Sequence, residues 1–219
     1  MSYRFSWDVV AESLPQIGAG IVGTIELASI SIVAGIAIGV AGVVLRFGPS
    51  AVLRRLVKVY VEVMRNTPML VQLYFIFYGL PILGVRLNSF VTALVALSIY
   101  CGAYVVEILR AGVEGVGRGQ VDAARALGLA ESAVFGRVVL PQAFRASLPA
   151  LGGQVIVMVK LSSLASVIGA MELTYVVVDI VATTYRSFEL YAVAGLVYLV
   201  MTLIVSGIFR ALELRMRAR

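Results

Sequence analysis

The sequence GQVDAARALGLAESAVFGRVVLP, residues 119–141, lies between two segments that are apolar enough to cross a membrane. Its alanines and leucines favour a short helix, and Gly128 permits a sharp turn after that helix. A second helix is expected from about Ser132 to near Leu140, because Pro141 disfavours helical geometry in the residue before it. The stretch therefore predicts two short helices that meet at a glycine.

The composition indicates an integral membrane protein. Hydrophobic residues make up 61% of the 219 residues, charged residues make up 14%, and the mean hydropathy is +1.00. A soluble domain of this size needs more polar surface than that. Because a crossing takes about 20 apolar helical residues, the chain has room for roughly five spans. They are expected near residues 18–45, 59–80, 89–109, 151–171 and 190–211.

The fold class that follows is all-α, because a backbone in lipid must satisfy its own hydrogen bonds and no alternating strand pattern is present. We expect a single transmembrane domain over residues 1–219, with a five-helix core at 18–213 and a cytoplasmic loop at 113–150. Residues 1–17 lack the basic and apolar regions of a cleavable signal. They fit either a short amphipathic helix at the membrane interface or an ordered tail.

The basic residues are distributed unevenly between the two sides that five spans would create. The basic-poor side has Arg4, Arg86 and Arg186, and the other side has Arg46, Arg54, Arg55, Lys58, Arg110, Arg118, Arg125, Arg137, Arg145, Arg210, Arg215, Arg217 and Arg219. Cytoplasmic loops carry the excess of Lys and Arg. This predicts a cytoplasmic C-terminus and loop 113–150, and an N-terminus outside. Topology thus explains the formal charge of +6, and no nucleic-acid partner is expected.

The spacing within 119–141 resembles the EAA loop of ABC importer permeases, on which the ATP-hydrolysing subunit docks. The matching positions are Asp122, Ala123, Ala124, Gly128, Val138, Leu140 and Pro141. The resemblance implies that coupling to an ATPase uses Gly119, Gln120, Asp122, Ala123, Ala124, Arg125, Leu127, Gly128, Leu129 and Pro141.

Three further stretches resemble the polar amino-acid (His/Glu/Gln/Arg/opine) permeases, whose core is that of type I importers. They are RNTPMLVQL at 65–73, AYVVEILR at 103–110 followed by Gly119-Gln120, and KLSSLASVI at 160–168. Together the similarity covers roughly residues 18–213. The chain departs from the family pattern at three positions. Asn66 replaces the family's glycine, Asp122 replaces its glutamate, and Leu161 replaces its usual Asp or Asn.

This resemblance implies a permease subunit of an amino-acid importer in the cell membrane, crossing the bilayer several times. The implied partners are a dimer of ABC ATPases, a second permease copy or a homologous permease, and an extracytoplasmic amino-acid-binding protein. The chain itself has no phosphate-binding loop and no nucleophile–base pair, so it is not expected to be an enzyme. ATP and Mg are assigned to the partner ATPase, and no cofactor or metal site is expected in this chain.

Two groups of residues are candidates for the substrate path. Pro68 lies inside the predicted second span, where it frees backbone carbonyls, and Thr67 and Gln72 lie beside it. On the fourth span the candidates are Gln154, Met158, Lys160, Leu161 and Ser162. Helix packing is the alternative for both groups.

Charges inside the spans need partners. A lone ammonium in the bilayer costs about 3 kcal/mol or more. Lys160 is therefore expected to face the substrate carboxylate, water or a structural partner. The absence of a carboxylate beside Leu161 favours a neutral amino acid. Arg65, Glu107 and Arg110 are expected to brace the helices by pairing with one another.

Two other classes of function are compatible with the apolar segments. A secondary transporter or channel needs coupling groups within the membrane, and inverted repeats would support it; the sequence has neither. A membrane-embedded structural or signalling subunit would use the loop for docking without transport. Co-purification with an ATPase separates the importer from both.

Overall fold

In the computed structural model, which describes residues 5–217, every regular element is a helix, so the all-α prediction is confirmed for that range. Residues 1–4 of the predicted interfacial segment lie outside it. The helices are α1 (Asp8–Phe47), α2 (Ala51–Asn66), α3 (Met69–Ile82), α4 (Ser89–Glu114), α5 (Arg118–Ala126), α6 (Glu131–Val134), α7 (Leu140–Leu161), α8 (Leu173–Thr184) and α9 (Ser187–Arg217). A π-helical turn (Phe135–Val139) joins α6 to α7, and a 3-10 turn (Ser162–Ile168) follows α7.

Four helical stretches in the described part of the chain are long and apolar enough to cross a membrane. They are Asp8–Phe47, Ser89–Glu114, Glu131–Ile168 and Ser187–Met216. The prediction of five such helices is wrong at the second one, because residues 59–80 are divided between α2 and α3. Pro68 disfavours helical geometry in its predecessor, and Thr67 is extended, with φ −115° and ψ 142°.

Two other boundaries differ from expectation. α1 begins at Asp8 and continues past residue 17 without a break. The helix that was expected to stop near Leu140 instead runs on through Pro141. In the π-helical turn before it, the Leu140 N–H donates to the Phe135 carbonyl, five residues back. This wider turn displaces the carbonyls that a proline ring meets in a regular α-helix, so α7 starts at Leu140 and takes up residues 140–150 of the predicted loop.

The centre of the fold is the contact between α1 and α4. Gly35, Gly39 and Gly42 line one face of α1, and a Cβ atom built on Gly39 would lie 2.3 Å from Cγ1 of Val105. Cys101 and Val106 approach Gly35 and Gly42 in the same way. Small residues at helical spacing let two membrane helices approach closely, and the GxxxG pattern at 35–39 is one signature of that packing.

A buried polar junction joins α1, α8 and α9. The Glu172 side chain is fully buried and accepts hydrogen bonds from the Tyr198 hydroxyl at 2.6 Å and from the Tyr175 N–H at 2.7 Å. The Thr24 hydroxyl lies 3.5 Å from the same carboxylate and accepts the Leu173 N–H. These bonds satisfy the carboxylate and fix the start of α8 against α1.

Candidate functional site

The segment between α4 and α7 forms a helical hairpin with a glycine at its turn. α5 ends at Ala126, and Gly128 adopts a left-handed conformation with φ +77°. The Gly128 N–H donates to the Arg125 carbonyl, and the Leu129 N–H donates to the Ala124 carbonyl. This pair of bonds is a Schellman helix end. Nothing lies within 4 Å of a Cβ atom built on Gly128, so backbone conformation, and not space, requires the glycine.

An ion pair closes the hairpin across the turn. Arg125 donates to both carboxylate oxygens of Glu131, from Nε at 2.7 Å and from a terminal nitrogen at 3.1 Å, and also lies 3.5 Å from Asp122. The hydrogen bond to Glu131 raises the pKa of Arg125 above its usual range. Arg125, which is predicted to couple to an ATPase, also links the two arms of the hairpin in this structure. The role of Glu131 was missed, and its only sequence signal is an acid placed beyond the glycine.

The hairpin presents most of the predicted coupling residues to its surroundings. Ala124 and Val134 are buried where α5 meets α6 and the π-helical turn. Leu127, at the tip, is 83% exposed, which leaves a large apolar side chain uncovered by this chain. The other exposed positions of the predicted set are Gly119, Gln120, Asp122, Ala123, Arg125, Gly128 and Pro141, and Leu129 is half-buried. Pro141 lies apart from the hairpin, in the first turn of α7.

The break between α2 and α3 is capped by a side chain that was predicted to line the substrate path. The Gln72 amide donates to the Met64 carbonyl at 2.8 Å and to both the carbonyl and the hydroxyl of Thr67, at 3.0 and 2.7 Å. Gln72 is nearly buried, whereas Thr67 and Pro68 are exposed. Gln72 therefore satisfies carbonyls at the end of α2, which a proline-induced break leaves without donors.

The candidates on α7 point in different directions. Gln154, Met158 and Ser162 are buried inside this chain, where Met158 belongs to the main apolar core. Leu161 packs against the edge of that core, and Lys160 is exposed. Among the described residues Lys160 has no carboxylate within 4 Å, so its ammonium is available to groups outside this chain. The structure thus brings Gln154, Met158 and Ser162 together but separates them from Lys160.

The three charges that were predicted to pair do lie together. Glu107 accepts a hydrogen bond from Nε of Arg110 at 3.0 Å and lies 3.6 Å from Arg65. Arg110 also bonds Glu114, and Arg65 stacks over the Tyr104 ring at 5.4 Å. These contacts link α2 to the end of α4 that is predicted to face the cytoplasm. Arg65 and Glu107 also form part of the wall of a cavity of about 340 Å³ between α1, α2 and α4.

Comparisons with known proteins identify a family over almost the whole chain. The sequence profile of the family described as "Binding-protein-dependent transport system inner membrane component" matches residues 14–218. The glutamine transport system permease protein GlnP of Escherichia coli (strain K12) is 36% identical over 217 residues, which are 98% of this chain and 99% of that protein. The nopaline transport system permease protein NocM of Agrobacterium fabrum is also 36% identical, over 94% of this chain and 89% of its own.

Solved structures of similar shape are known. A chain of an amino acid ABC transporter crystallised with histidines has a TM-score of 0.93 and 35% sequence identity, over 97% of this chain and 100% of that one. A chain of the MetNI methionine ABC transporter, in inward-facing conformations, has a TM-score of 0.71 over 97% of this chain and 99% of its own. At 18% identity the second likeness concerns the fold alone.

Proposed function

The chain belongs to the family of inner membrane components of binding-protein-dependent transport systems, and we infer that it is the permease subunit of an ATP-driven importer for amino acids. The observation that carries this inference is the extent of the match. The similarity to a glutamine permease extends over 98% of this chain and 99% of that protein. The substrate class comes from the relatives, which are permeases for glutamine and for nopaline.

Co-purification tests this function. The full chain, tagged at one end and extracted in mild detergent, is expected to retain an ABC ATPase, and the Gly128→Val variant is expected to retain less of it. A chain that purifies to homogeneity without any ATPase, while it still inserts into the membrane, would contradict the importer and favour a secondary transporter or channel.

The α5–α6 hairpin is the proposed docking surface for the ATPase. Its support is an exposed apolar tip at Leu127, a ring of exposed small and polar residues, and a rigid closure through Arg125 and Glu131. A rigid hairpin transmits a displacement, because its two arms move together. The hairpin continues through the π-helical turn into α7, so a displacement of the hairpin would reach α7 along a continuous helix. ATP and Mg would be bound by the partner ATPase.

The proposed topology has the N-terminus outside and the hairpin in the cytoplasm. α3 holds 14 residues, about 21 Å of helix, and in the proposed topology it crosses the hydrocarbon core together with the turn of α2 next to the break. The cationic first turns of α2 would then lie at the cytoplasmic interface, and this broken crossing is the fifth that the proposed orientation needs. Gln72 makes this acceptable in lipid, because it caps carbonyls at the break.

The proposed path lies on the outer surface of this chain, where a second permease copy or a homologous permease would complete it. Lys160, Thr67 and Pro68 are exposed and fit that position, whereas Gln154, Met158 and Ser162 lie beneath that surface. Lys160 would then attract the substrate carboxylate at long range. With Leu161 in place of an acid, the proposed substrate is a neutral amino acid. Competition by neutral but not by basic amino acids in reconstituted vesicles is expected, and the opposite pattern would refute this preference.

Arg65, Glu107 and Arg110 are proposed to brace α2 against α4. Each charge has an opposite partner within 4 Å, which is the usual arrangement for ionisable groups on membrane helices. These ion pairs would hold α2 against α4 next to the break at Thr67–Pro68. An amino-acid-binding protein outside the membrane completes the proposed assembly, since the family is named for its dependence on one.

A further inference from the structure

A cluster of cations lies where α1 turns into α2. Arg46, Arg54, Arg55 and Lys58 together line a pocket of about 270 Å³. Arg46 is in the last turn of α1, and the other three are on the first two turns of α2. Four positive charges around one pocket repel one another, so an anion in the pocket lowers their electrostatic energy.

Most cations of this cluster lack a close ion pair among the described residues, although Arg46 also interacts with Glu107 across the neighbouring cavity. Lys58 has a carboxylate nearby, Glu62 at 3.6 Å, but both side chains are more than half exposed, so the pair is weak. Arg54 donates to the carbonyls of Gly48 and Pro49, which neutralises no charge. Neither Arg46 nor Arg55 has an ion-pair partner within 4 Å in the part of the chain that the structure describes.

An exposed apolar stripe runs beside the cations on the same helix. Val52, Leu56, Val59 and Val63 follow helical spacing along α2 and are 47–69% exposed. The opposite face of α2, with Val57 and Val61, is buried against Val43 and Val106. α2 therefore has one face toward the protein, one apolar face uncovered by this chain, and one cationic edge between them. A helix with this division of faces sits at the membrane interface.

We propose that this cationic pocket binds the headgroup of an anionic phospholipid of the cytoplasmic leaflet, with the acyl chains along the Val52–Val63 stripe. An anionic phospholipid matches both parts of the site. Its phosphate would contact the arginines, and its acyl chains would contact the exposed valines and leucine. Basic pockets beside membrane helices on the cytoplasmic side recognise anionic lipids in this way. A soluble phosphate would satisfy the cations but leave the apolar stripe uncovered.

Lipid retention measured by native mass spectrometry tests this site. The full chain, with the subunits it retains, is titrated in micelles with phosphatidylglycerol or phosphatidylcholine. Phosphatidylglycerol is expected to be retained preferentially, and Arg55→Gln/Lys58→Gln is expected to weaken that retention by about twenty-five-fold, at roughly fivefold per cation. Arg54 is left intact because it closes the turn before α2.

The matched control is Arg210→Gln/Arg215→Gln, which removes two exposed arginines from the α9 end expected in the same leaflet. This control is expected to retain phosphatidylglycerol as the unmodified chain does. Equal retention of both lipids, or unchanged retention in Arg55→Gln/Lys58→Gln, would overturn the proposal. Displacement of the lipid by millimolar glycerol phosphate would also overturn it, because the site would then be one for a soluble phosphate.

Discussion

Gly128 and Gln72 each determine how a helix ends in this molecule, and they do so by different physics. Gly128 supplies a left-handed φ of +77°, a conformation that other L-residues adopt at a cost of about 1–2 kcal/mol. Gln72 supplies donors to carbonyls that the Thr67–Pro68 break leaves open. One residue acts through backbone freedom and the other through a side-chain hydrogen bond, so different substitutions test them.

Replacing Gly128 with valine is expected to impair coupling while leaving insertion intact. The strained φ opposes the Schellman turn and splays α5 from α6, so substrate-stimulated ATPase activity of the reconstituted complex should fall about tenfold. Gly195→Val is the control, since Gly195 is equally uncrowded but lies in α9, outside the hairpin, without a positive φ. Normal stimulation by the Gly128→Val chain would show that the turn is not needed for docking.

Replacing Gln72 with leucine is expected to lower stability by about 1–3 kcal/mol, because the carbonyls of Met64 and Thr67 lose a buried donor. Thermal unfolding in detergent measures the change. Gln142→Leu is the matched control, because Gln142 also donates to a helix carbonyl, that of Val138, but is exposed, so water replaces it. Equal effects of the two substitutions would mean that Gln72 does not cap the break.

At the scale of elements, the sequence predicted one end of each of the four long helical stretches to within three residues. α4 begins at Ser89 as expected, because Asn88 caps it by accepting the Val91 N–H. The second span was misjudged because a hydropathy pattern does not report a break at a proline. The start of α7 was missed because the π-helical turn before Pro141 arises from tertiary context. The hairpin was predicted from a motif, but its Arg125–Glu131 closure depends on where the turn brings two side chains.

The α1–α4 contact leaves no room for an added methyl group at its glycines. Gly39→Ala places a Cβ atom 2.3 Å from the Val105 side chain, so the helices must separate. The expected loss is about 1–3 kcal/mol of stability, measured by thermal unfolding in detergent. Gly207→Ala is the control, because nothing lies within 4 Å of a Cβ atom there, and it should be neutral or stabilising by up to about 1 kcal/mol. A neutral Gly39→Ala would contradict the close packing.

At the scale of the whole molecule, two carboxylates hold helices together at two separate junctions. Glu172 joins α1, α8 and α9 by buried hydrogen bonds, and Glu107 joins α2 and α4 by ion pairs. The hairpin extends from α7, so the proposed docking surface and the proposed path share one helix. Motion of a docked partner would therefore reach the path through α7.

The proposed orientation is tested by labelling single cysteines at the two ends, in a background without Cys101. Ser2→Cys and Ala218→Cys change positions outside the described residues. A membrane-impermeant maleimide should label Ser2→Cys in intact cells and Ala218→Cys only after permeabilisation, because the basic residues concentrate on the side of the C-terminus. Labelling of Ala218→Cys alone in intact cells would reverse the topology.

The central claim is that another subunit's ATP hydrolysis drives an amino acid across this chain. Uptake of labelled glutamine into proteoliposomes tests it most directly, with the chain reconstituted alongside its co-purifying ATPase and binding protein. Uptake is expected only when ATP is present on the side of the hairpin, and it should fall about tenfold with Gly128→Val. Uptake that persists without ATP, or that follows an imposed ion gradient in the absence of the ATPase, would contradict the account.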